Sequence, residues 1–295
     1  MTAPHASFDM VTPKEVEDFY DEWAKTYEDD TVNKHRYFGH KHLAELCKKH
    51  LNKEDHILVV GAGTGLDALE LNAAGFHNMD GHDGSDKMLD VARRRKIFTE
   101  CWHEMLAPDS LSQHFKSNHY DAVVCVGCFV PGCLDERHLQ ALVDPVKPGG
   151  TLVIGTREVF LTPPPKEDFP KADYNYYLEK RMEKLEQEGK LKRLERTRFQ
   201  EYSDGYPGVF FVHKLVLSRK LALLGLVNLL ICWLSLLSII LAVSTGDGES
   251  FLPLVSLCHV LLTCNNPYAL LVCCRALRAA CRRRLASICR CMPGQ

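Results

Sequence analysis

The chain has 295 residues and a formal net charge of −2 at pH 7, and this length allows one large domain or two small ones. The near-neutral charge argues against general nucleic-acid binding, which requires an excess of basic residues. The composition changes along the chain, because the part up to about residue 217 resembles a soluble domain whereas the remainder is apolar and then arginine-rich. The two parts therefore need separate interpretations.

The cysteines indicate a reducing compartment. Five of the 13 lie in the first 220 residues, mostly within apolar runs, as expected for reduced thiols in a core. No signal peptide is visible before Thr12, so this part of the chain is expected to stay in the cytosol. Cys125 and Cys128 have the spacing of half a zinc site, but no second pair follows at a suitable distance. We therefore expect both thiols to pack in the core, and we predict no metal site.

The N-terminal sequence predicts a short disordered segment, 1–12, followed by an aromatic helix. Thr12 and Pro13 form a typical helix start, with Thr12 as the N-cap. Apolar side chains then recur every three or four residues and share one helical face: Val16, Phe19, Tyr20, Trp23 and Tyr27. This face could pack on the core, cover a bound ligand, or do both. A second helix is predicted from about residue 37 to residue 50.

A glycine-rich turn is the centre of the predicted site. Residues Ile57–Val60 predict a buried parallel strand, after which Gly61, Gly63 and Gly65 occupy alternate positions before a helix begins at Leu66. This strand–turn–helix arrangement brings a backbone close to a nucleotide-like ligand, because glycine lacks the Cβ that would block the approach. An ordinary glycine-rich turn is the alternative interpretation.

A carboxylate follows at the spacing expected for nucleotide binding. Asp83 lies twenty residues after Gly63, where a nucleotide-binding fold places the group that accepts hydrogen bonds from ribose hydroxyls. Asp83 could instead cap the helix predicted over 87–95, but Ser85 is well placed for that role. We therefore predict that Asp83 is a ribose ligand.

Strands and helices alternate through the rest of the predicted domain, 13–217. Its remaining elements are strands at 101–103, 120–126 and 151–156, a tight turn at 147–150, a charged helix from about 176 to 188, and strands at 194–202 and 209–217. Alternation of this kind builds a parallel sheet that is covered on both faces. The last two strands predict an antiparallel hairpin at the sheet edge. The fold class is therefore α/β, with a doubly wound, mostly parallel sheet of seven strands.

Two apolar runs near the C-terminus predict a transmembrane helical hairpin, with spans at about 221–243 and 251–274. Residues 221–246 carry no charge, and as a helix they would be about 39 Å long at ~1.5 Å per residue, which exceeds the ~30 Å hydrocarbon core. The second run is the weaker candidate, because Pro253 and His259 interrupt it.

The charges that flank these runs predict their orientation. A short acidic loop with Asp247 and Glu249 separates the runs, whereas the tail, 275–295, is rich in arginine and cysteine. The positive-inside rule then places both ends of the hairpin, and the preceding domain, in the cytosol. The arginines would lie against anionic lipid, and the cysteines are either palmitoylation sites or unmodified thiols.

Several motifs of the first part resemble those of a known family. Residues 18–217 are similar to class I S-adenosylmethionine-dependent methyltransferases, and in particular to the methyltransferase-like proteins of the Williams–Beuren region. The resemblance rests on Phe19–Tyr27, Gly61–Gly65, Asp80–Ser85 followed by Met88 and Leu89, Tyr120–Val123, and Lys147–Gly150. It implies a Rossmann-like fold and S-adenosylmethionine as the cofactor.

The resemblance also implies roles for individual residues. Gly61, Gly63 and Gly65 would pass beneath the methionine part of the cofactor, and Asp83 would bind the ribose. The other implied contacts are Met88 with the adenine, Trp102 and His103 with the adenine edge, Val126 and Gly127 with the methyl group, and Tyr20, Trp23 and Tyr27 as a lid. No catalytic residue is assigned, because methyl transfer chiefly needs alignment of the reactants in a water-poor pocket.

Two features leave the activity open. Val59 stands two positions before the loop, where the family often has an acidic residue, so cofactor binding could be weakened or another carboxylate could compensate. No compelling general base is visible, because His35 and His213 have no supporting pattern and His138 is predicted on a surface helix. A catalytically inactive cofactor-binding or scaffold protein is therefore the alternative. A nicotinamide-dependent oxidoreductase would require glycine where Leu66 stands.

The sequence thus predicts a membrane-anchored, multi-pass methyltransferase whose domain faces the cytosol. Its expected partners are the lipid bilayer and an unidentified methyl acceptor, which could be a small molecule, a lipid or a protein. No nucleic acid is expected, because the arginines of the tail lack interleaved aromatic residues.

Overall fold

The computed structural model describes residue 10 and residues 12–163 and 174–216. The chain divides into two units, 1–217 and 218–295. All of the described residues lie in the first unit, so the fold below is that of this unit alone.

The predicted membrane hairpin and tail, 221–295, lie outside the described residues, as does nearly all of the predicted disordered segment 1–12. Within the part of the chain that the structure describes, no helix combines the length and the apolar character needed to cross a bilayer. The hairpin therefore stays a prediction from the sequence.

The described residues form a seven-stranded sheet in the order β3-β2-β1-β4-β5-β7-β6. The strands are β1 Ile57–Val60, β2 Met79–Asp83, β3 Cys101–His103, β4 Tyr120–Val126, β5 Val146–Arg157, β6 Leu191–Ser203 and β7 Tyr206–Leu215. Strands β1 to β5 are parallel, whereas β7 runs antiparallel to both β5 and β6. The predicted mostly parallel sheet with an antiparallel edge hairpin is therefore confirmed.

Helices cover both faces of this sheet. Their bounds are α1 Pro13–Trp23, α2 Gly39–His50, α3 Leu66–Ala73, α4 Asp86–Arg94, α5 Leu139–Val143 and α6 Leu178–Gln187. Side chains of α2, α3 and α4 share one buried apolar cluster with Val59, and those of α5 and α6 share a second cluster with Val60. The two neighbouring valines face opposite clusters because successive side chains of a strand alternate between its faces.

The carboxyl ends of three parallel strands position the candidate site. Val60 at the end of β1 pairs with His82, so Asp83 at the end of β2 lies beside the glycine loop. On the other side of β1 lies β4, which ends at Val126. The strand order reverses between β1 and β4, and open α/β sheets bind ligands at the carboxyl edge of such a reversal.

The predicted Lys-Pro-Gly-Gly turn lies within β5 and is a bulge. Tyr120 of β4 pairs with Val146, but Ala122 already pairs with Thr151, so the intervening residues of β5 have no partners on β4. Gly149 has a φ of +80°, a left-handed conformation that suits glycine and lets the backbone form the bulge. The strand therefore begins five residues earlier than its apolar core indicates.

The aromatic helix is shorter than predicted, because α1 ends at Trp23 and does not reach Tyr27. A π-helical segment, Asp29–Lys34, follows. Asp30 accepts hydrogen bonds from the indole of Trp23 and the hydroxyl of Thr26, both at 2.8 Å, and these bonds fold the segment back against the end of α1. Tyr27 and Trp23 still pack together, with ring centroids 4.7 Å apart.

Candidate functional site

The glycine loop brings backbone rather than side chains to the edge of the sheet. A Cβ on Gly61 would lie 2.0 Å from the sulfur of Cys128, so the backbone here has no room for a side chain. A Cβ on Gly63 would meet nothing within 4 Å, so the loop at that point faces open space. Both glycines have positive φ, 69° and 54°, which L side chains rarely adopt. The loop therefore leaves space for a ligand above Gly63.

Asp83 ties the end of β2 to the glycine loop. One carboxylate oxygen accepts the N–H of Gly63 at 2.8 Å, and the other accepts the N–H of Ser85 at 2.9 Å. Burial raises the pKa of Asp83, and these two hydrogen bonds oppose that rise. Ser85 caps α4 as predicted, because its hydroxyl accepts the N–H of Met88 at 3.1 Å.

An open cavity, which we call the central cleft, lies at this edge of the sheet. It spans about 810 Å³, including the solvent at its open mouth. Its lining includes eight of the predicted site residues: Tyr20, Tyr27, Gly61, Gly63, Asp83, Met88, Val126 and Gly127. The structure thus brings together residues that are up to about a hundred positions apart in the sequence.

A second cavity of about 900 Å³, which we call the side chamber, adjoins the central cleft. Trp23, a predicted lid residue, lines the side chamber. The two cavities share a wall formed by Tyr20, Tyr27, Gly61, Gly63, Val126 and Gly127. A Cβ on Gly127 would lie 3.5 Å from the Tyr37 hydroxyl and 3.8 Å from the Tyr202 hydroxyl. Both phenols therefore end beside the shared wall.

Three predicted residues lie outside both cavity linings. Gly65 is the N-cap of α3, with a φ of +87°. Trp102 packs against the core cluster of α5 and α6, near Phe115. His103 lies beside Gly84, with 3.1 Å between its Nε2 and the Gly84 carbonyl oxygen. The structure does not bring these three residues to the cavities, and their contacts with a cofactor stay predictions.

The central cleft also includes residues that the sequence analysis did not single out. Glu104, Met105 and Leu106 follow β3 and line the cleft in place of Trp102 and His103. The sequence did contain a signal for them. Strand β3 is short, and the apolar residues Met105 and Leu106 follow soon after its end, at the carboxyl edge of the sheet.

Polar contacts hold the aromatic segment over the cleft. The carboxylate of Asp21 in α1 accepts the hydroxyl of Ser85 at 2.6 Å and the N–H of Lys87 at 3.1 Å, so α1 is bound to the start of α4. Arg95 forms an ion pair with Glu28 and donates to a loop carbonyl oxygen. These bonds connect α1 and the segment that follows it, which together cover the cleft, directly to the elements that line it.

Hydroxyl and thiol groups in the central cleft keep their protons at neutral pH. Burial raises the pKa of Tyr20 and Tyr27 well above that of a free phenol. The nearby Cys125 thiol and burial raise the pKa of Cys128, and burial raises the pKa of Cys133 to about 11. The two thiols lining the cleft are therefore weak nucleophiles, because the thiolate is the reactive form.

The histidines considered as general bases have structural partners. His138 was expected on a surface helix, but only 4% of it is exposed, and its Nδ1 lies 3.2 Å from the carboxylate of Asp135. That expectation was wrong because Asp135 and His138 form a buried N-terminal cap of a short 3₁₀ helix. His213 is fully buried and lies 2.8 Å from Glu186, and His35 pairs with Asp204 beside the side chamber.

The site lies within a region that matches a known family. A family model described as "Methyltransferase domain" matches residues 57–150, which run from β1 into β5. Human methyltransferase-like protein 27 is 30% identical over 179 residues, which cover 58% of this chain and 66% of that protein. The chain therefore spans slightly less than two thirds of this relative's length.

Solved structures share the fold. The crystal structure of the cyclase SpnF matches with a TM-score of 0.53 and 13% identity, covering 70% of this chain and 97% of that one. A chain of the complex between the Haloferax volcanii Trm112 methyltransferase activator and a methyltransferase matches with a TM-score of 0.51 and 17% identity, covering 69% and 99%. At these identities the likeness concerns the fold alone.

The family match carries the chemical conclusion, because it covers β1, the glycine loop, Asp83 and β4, which together surround the central cleft. Residues 57–150 therefore match a methyltransferase domain, and the chain is similar to a methyltransferase-like protein.

Proposed function

We propose that the full chain transfers a methyl group from S-adenosylmethionine to an acceptor at a membrane surface. The methyltransferase activity in this proposal is supported by three features that lie together at the central cleft. They are the open backbone at Gly63, the carboxylate of Asp83 and the aromatic segment that covers both.

The residues that line the central cleft fit the cofactor. Gly63 leaves open space for a close approach to the backbone, and each Asp83 oxygen has a lone pair beyond the one that accepts a backbone N–H. Ribose hydroxyls could donate to these lone pairs. Met88 offers a buried apolar side chain to the adenine ring, and Val126 and Gly127 would border the methyl group.

When bound, S-adenosylmethionine supplies a methyl group on a sulfonium, which is a good leaving group. The protein's part is to align the acceptor with that methyl group, and alignment alone can contribute ~7–11 kcal/mol to lowering the barrier. Tyr20 and Tyr27 exclude water from the cleft. Because Cys128 and Cys133 stay protonated, they do not compete with the acceptor for the methyl group.

The membrane part of the proposal rests on the sequence beyond the described residues. Residues 221–246 form an uncharged run that is long enough to span a bilayer, and a second uncharged run covers 250–274. Arginines without acidic neighbours follow, which favours a cytosolic tail at 275–295. A domain tethered in this way would meet acceptors at the cytosolic surface of a membrane.

A labelled-methyl transfer experiment tests the proposed function. The full-length chain is incubated with methyl-labelled S-adenosylmethionine and with the lipid, protein and small-molecule fractions of a cell extract. We expect one fraction to become labelled, with the labelled product most abundant when the acceptor fraction contains membranes. Absence of label in every fraction, under conditions in which the chain binds the cofactor, would favour the inactive scaffold that Val59 motivates.

A further inference from the structure

Val59 offers no charge to a ligand. It is 1% exposed and packs in the apolar cluster that also contains residues of α2 and α3. The position at which the resembled family often has an acidic residue is thus part of the core. A carboxylate that replaces the acidic residue missing at Val59 would have to come from another element on the same side of the sheet, such as α3.

Two side chains that line the side chamber carry polar atoms without partners, and a third reaches only a neighbouring phenol. The hydroxyl of Thr64 and one carboxylate oxygen of Asp67 are buried and have no hydrogen-bond partner among the described residues, whereas the buried hydroxyl of Tyr202 lies beside that of Tyr37. The three residues are only 1%, 8% and 2% exposed. Buried polar groups are rarely left unpaired in proteins, so the unpaired oxygens of Thr64 and Asp67 in one cavity favour a polar ligand there.

Asp67 is the charged member of this group. It lies in the first turn of α3, directly after the glycine loop, and it forms no ion pair with any described lysine, arginine or histidine. Burial, with a smaller contribution from Glu70, raises its pKa to about 7. Its negative charge in turn helps to raise the pKa of Tyr27 and Tyr37, so Asp67 lies close to both phenols. Arg157 and His35 line the same chamber, but Arg157 donates to the hydroxyl of Ser203 and His35 pairs with Asp204 rather than with Asp67.

The side chamber and the central cleft can hold one extended ligand. They share the backbone of Gly61 and Gly63, with Asp83 on the cleft side and Asp67 on the chamber side. S-adenosylmethionine has ribose hydroxyls in its adenosine part and an ammonium group in its methionine part. These two groups match the two carboxylates that lie on either side of the loop.

We infer that Asp67 binds the ammonium group of the methionine part of S-adenosylmethionine, assisted by the hydroxyls of Thr64 and Tyr202. This inference rests on the proposed function only for the identity of the cofactor. It assigns to α3 the carboxylate that β1 lacks at Val59. It also explains why an acidic side chain is buried beside three phenols without a basic partner.

The test is a pair of calorimetric titrations on the purified full-length chain in detergent. One probe is S-adenosylhomocysteine, which carries the ammonium group, and the other is 5′-methylthioadenosine, which keeps the adenosine thioether but lacks the amino-acid part. For Asp67→Asn we expect the Kd of S-adenosylhomocysteine to rise about tenfold or more, because a charge-assisted bond is lost. The Kd of 5′-methylthioadenosine should change less than about twofold.

A matched control is Glu136→Gln, because one carboxylate oxygen of Glu136 is also buried without a hydrogen-bond partner but Glu136 lines neither cavity. This variant should bind both probes as the unaltered chain does. The Asp67→Asn chain should unfold at a temperature no lower than the unaltered chain at pH 7, which separates a binding effect from misfolding.

Equal weakening of both probes by Asp67→Asn would overturn the inference, since Asp67 would then support only the loop. Unchanged binding of both probes would also overturn the inference, because Asp67 would then contribute nothing to cofactor binding. If the unaltered chain bound neither probe, the proposed function itself would be contradicted, and this outcome is distinct from the other two.

Discussion

At the residue scale, the hydrogen bond from Gly63 to Asp83 links the loop to β2 and leaves the space above the loop open. This arrangement depends on the missing side chain at Gly63. The same position is therefore sensitive in two ways, through its backbone conformation and through the space that a Cβ would occupy.

We predict that Gly63→Ala weakens binding of S-adenosylhomocysteine by about tenfold or more, because its Cβ would project into the space where the ligand lies. Gly189→Ala is the matched control. Gly189 also has a positive φ, +69°, and open space around its Cβ position, but it lies outside both cavities. Both variants should lose about 1 kcal/mol of unfolding free energy. Equal affinities of the two variants in equilibrium dialysis would contradict the prediction.

A second prediction concerns pH. The ligand's ammonium group requires the ionised form of Asp67, whose pKa is about 7, so its binding should weaken as the pH falls through that value. Lowering the pH from 8 to 6 should raise the Kd of S-adenosylhomocysteine about tenfold. The groups that face Asp67 are Glu70, Tyr27, Tyr37, Cys47 and Tyr202, and Arg157 and His35 line the same chamber. The pKa of each phenol and of the thiol is raised, so these four groups stay neutral over this range.

The Asp67→Asn variant is the control for this pH dependence, measured by calorimetry in buffers of matched ionic strength. Its Kd should vary much less between pH 6 and pH 8. A dependence of equal size in the variant would assign the titration to another group and contradict the prediction.

At the scale of elements, the cover of the cleft is formed by α1 and the segment that follows it. Thr12 begins α1 with a reciprocal cap, in which its hydroxyl accepts the N–H of Glu15 and the Glu15 carboxylate accepts the N–H of Thr12. Asp21 then fastens the helix to the start of α4. Because that contact lies beside Asp83 and Met88, the cover and the ligand should stabilise each other.

We predict that Asp21→Ala speeds dissociation of S-adenosylhomocysteine by about three- to tenfold, because the bonds to Ser85 and Lys87 are lost. Stopped-flow fluorescence of Trp23 would measure this rate. Asp18→Ala is the control, since Asp18 lies on the same helix and, among the described residues, forms its ion pair with the exposed Lys14 alone. Similar dissociation rates for the two variants would show that the bonds of Asp21 to Ser85 and Lys87 do not slow the release of the ligand.

The sequence predicted the elements that depend on local pattern. Apolar runs located β1 and β4, the alternation of strands and helices predicted the parallel sheet, and the glycine-rich turn marked the carboxyl edge. The bulge in β5 was missed because Gly149 supports a tight turn and a bulge equally well. The end of α1 was missed because the apolar spacing continues to Tyr27, whereas the N–H of Thr26 bonds to the carbonyl of Trp23, three residues back, in a tighter turn that ends the helix.

The predicted site was incomplete where it depended on tertiary packing. Trp102 was assigned through the family resemblance, but the structure packs its ring against the core near Phe115. Asp67 was overlooked, although it interrupts the apolar sequence between Leu66 and Ala68. Its burial and its missing partner became visible only when α3 was packed beside Tyr37.

In the whole molecule, a cofactor-binding domain is followed in the sequence by a predicted membrane hairpin. We predict that the full-length chain sediments with membranes after a carbonate wash and is released only by detergent, because two apolar spans are inserted. In sealed vesicles, protease added on the cytosolic side should remove an epitope at the C-terminus. Extraction by carbonate, or protection of that epitope, would contradict the proposed topology.

The most direct test of the central claim is a calorimetric titration of the purified full-length chain with S-adenosylmethionine. We predict saturable binding of one molecule per chain, in a site for which S-adenosylhomocysteine competes. No detectable binding at about millimolar ligand, an affinity that corresponds to only about −4 kcal/mol, would contradict the account.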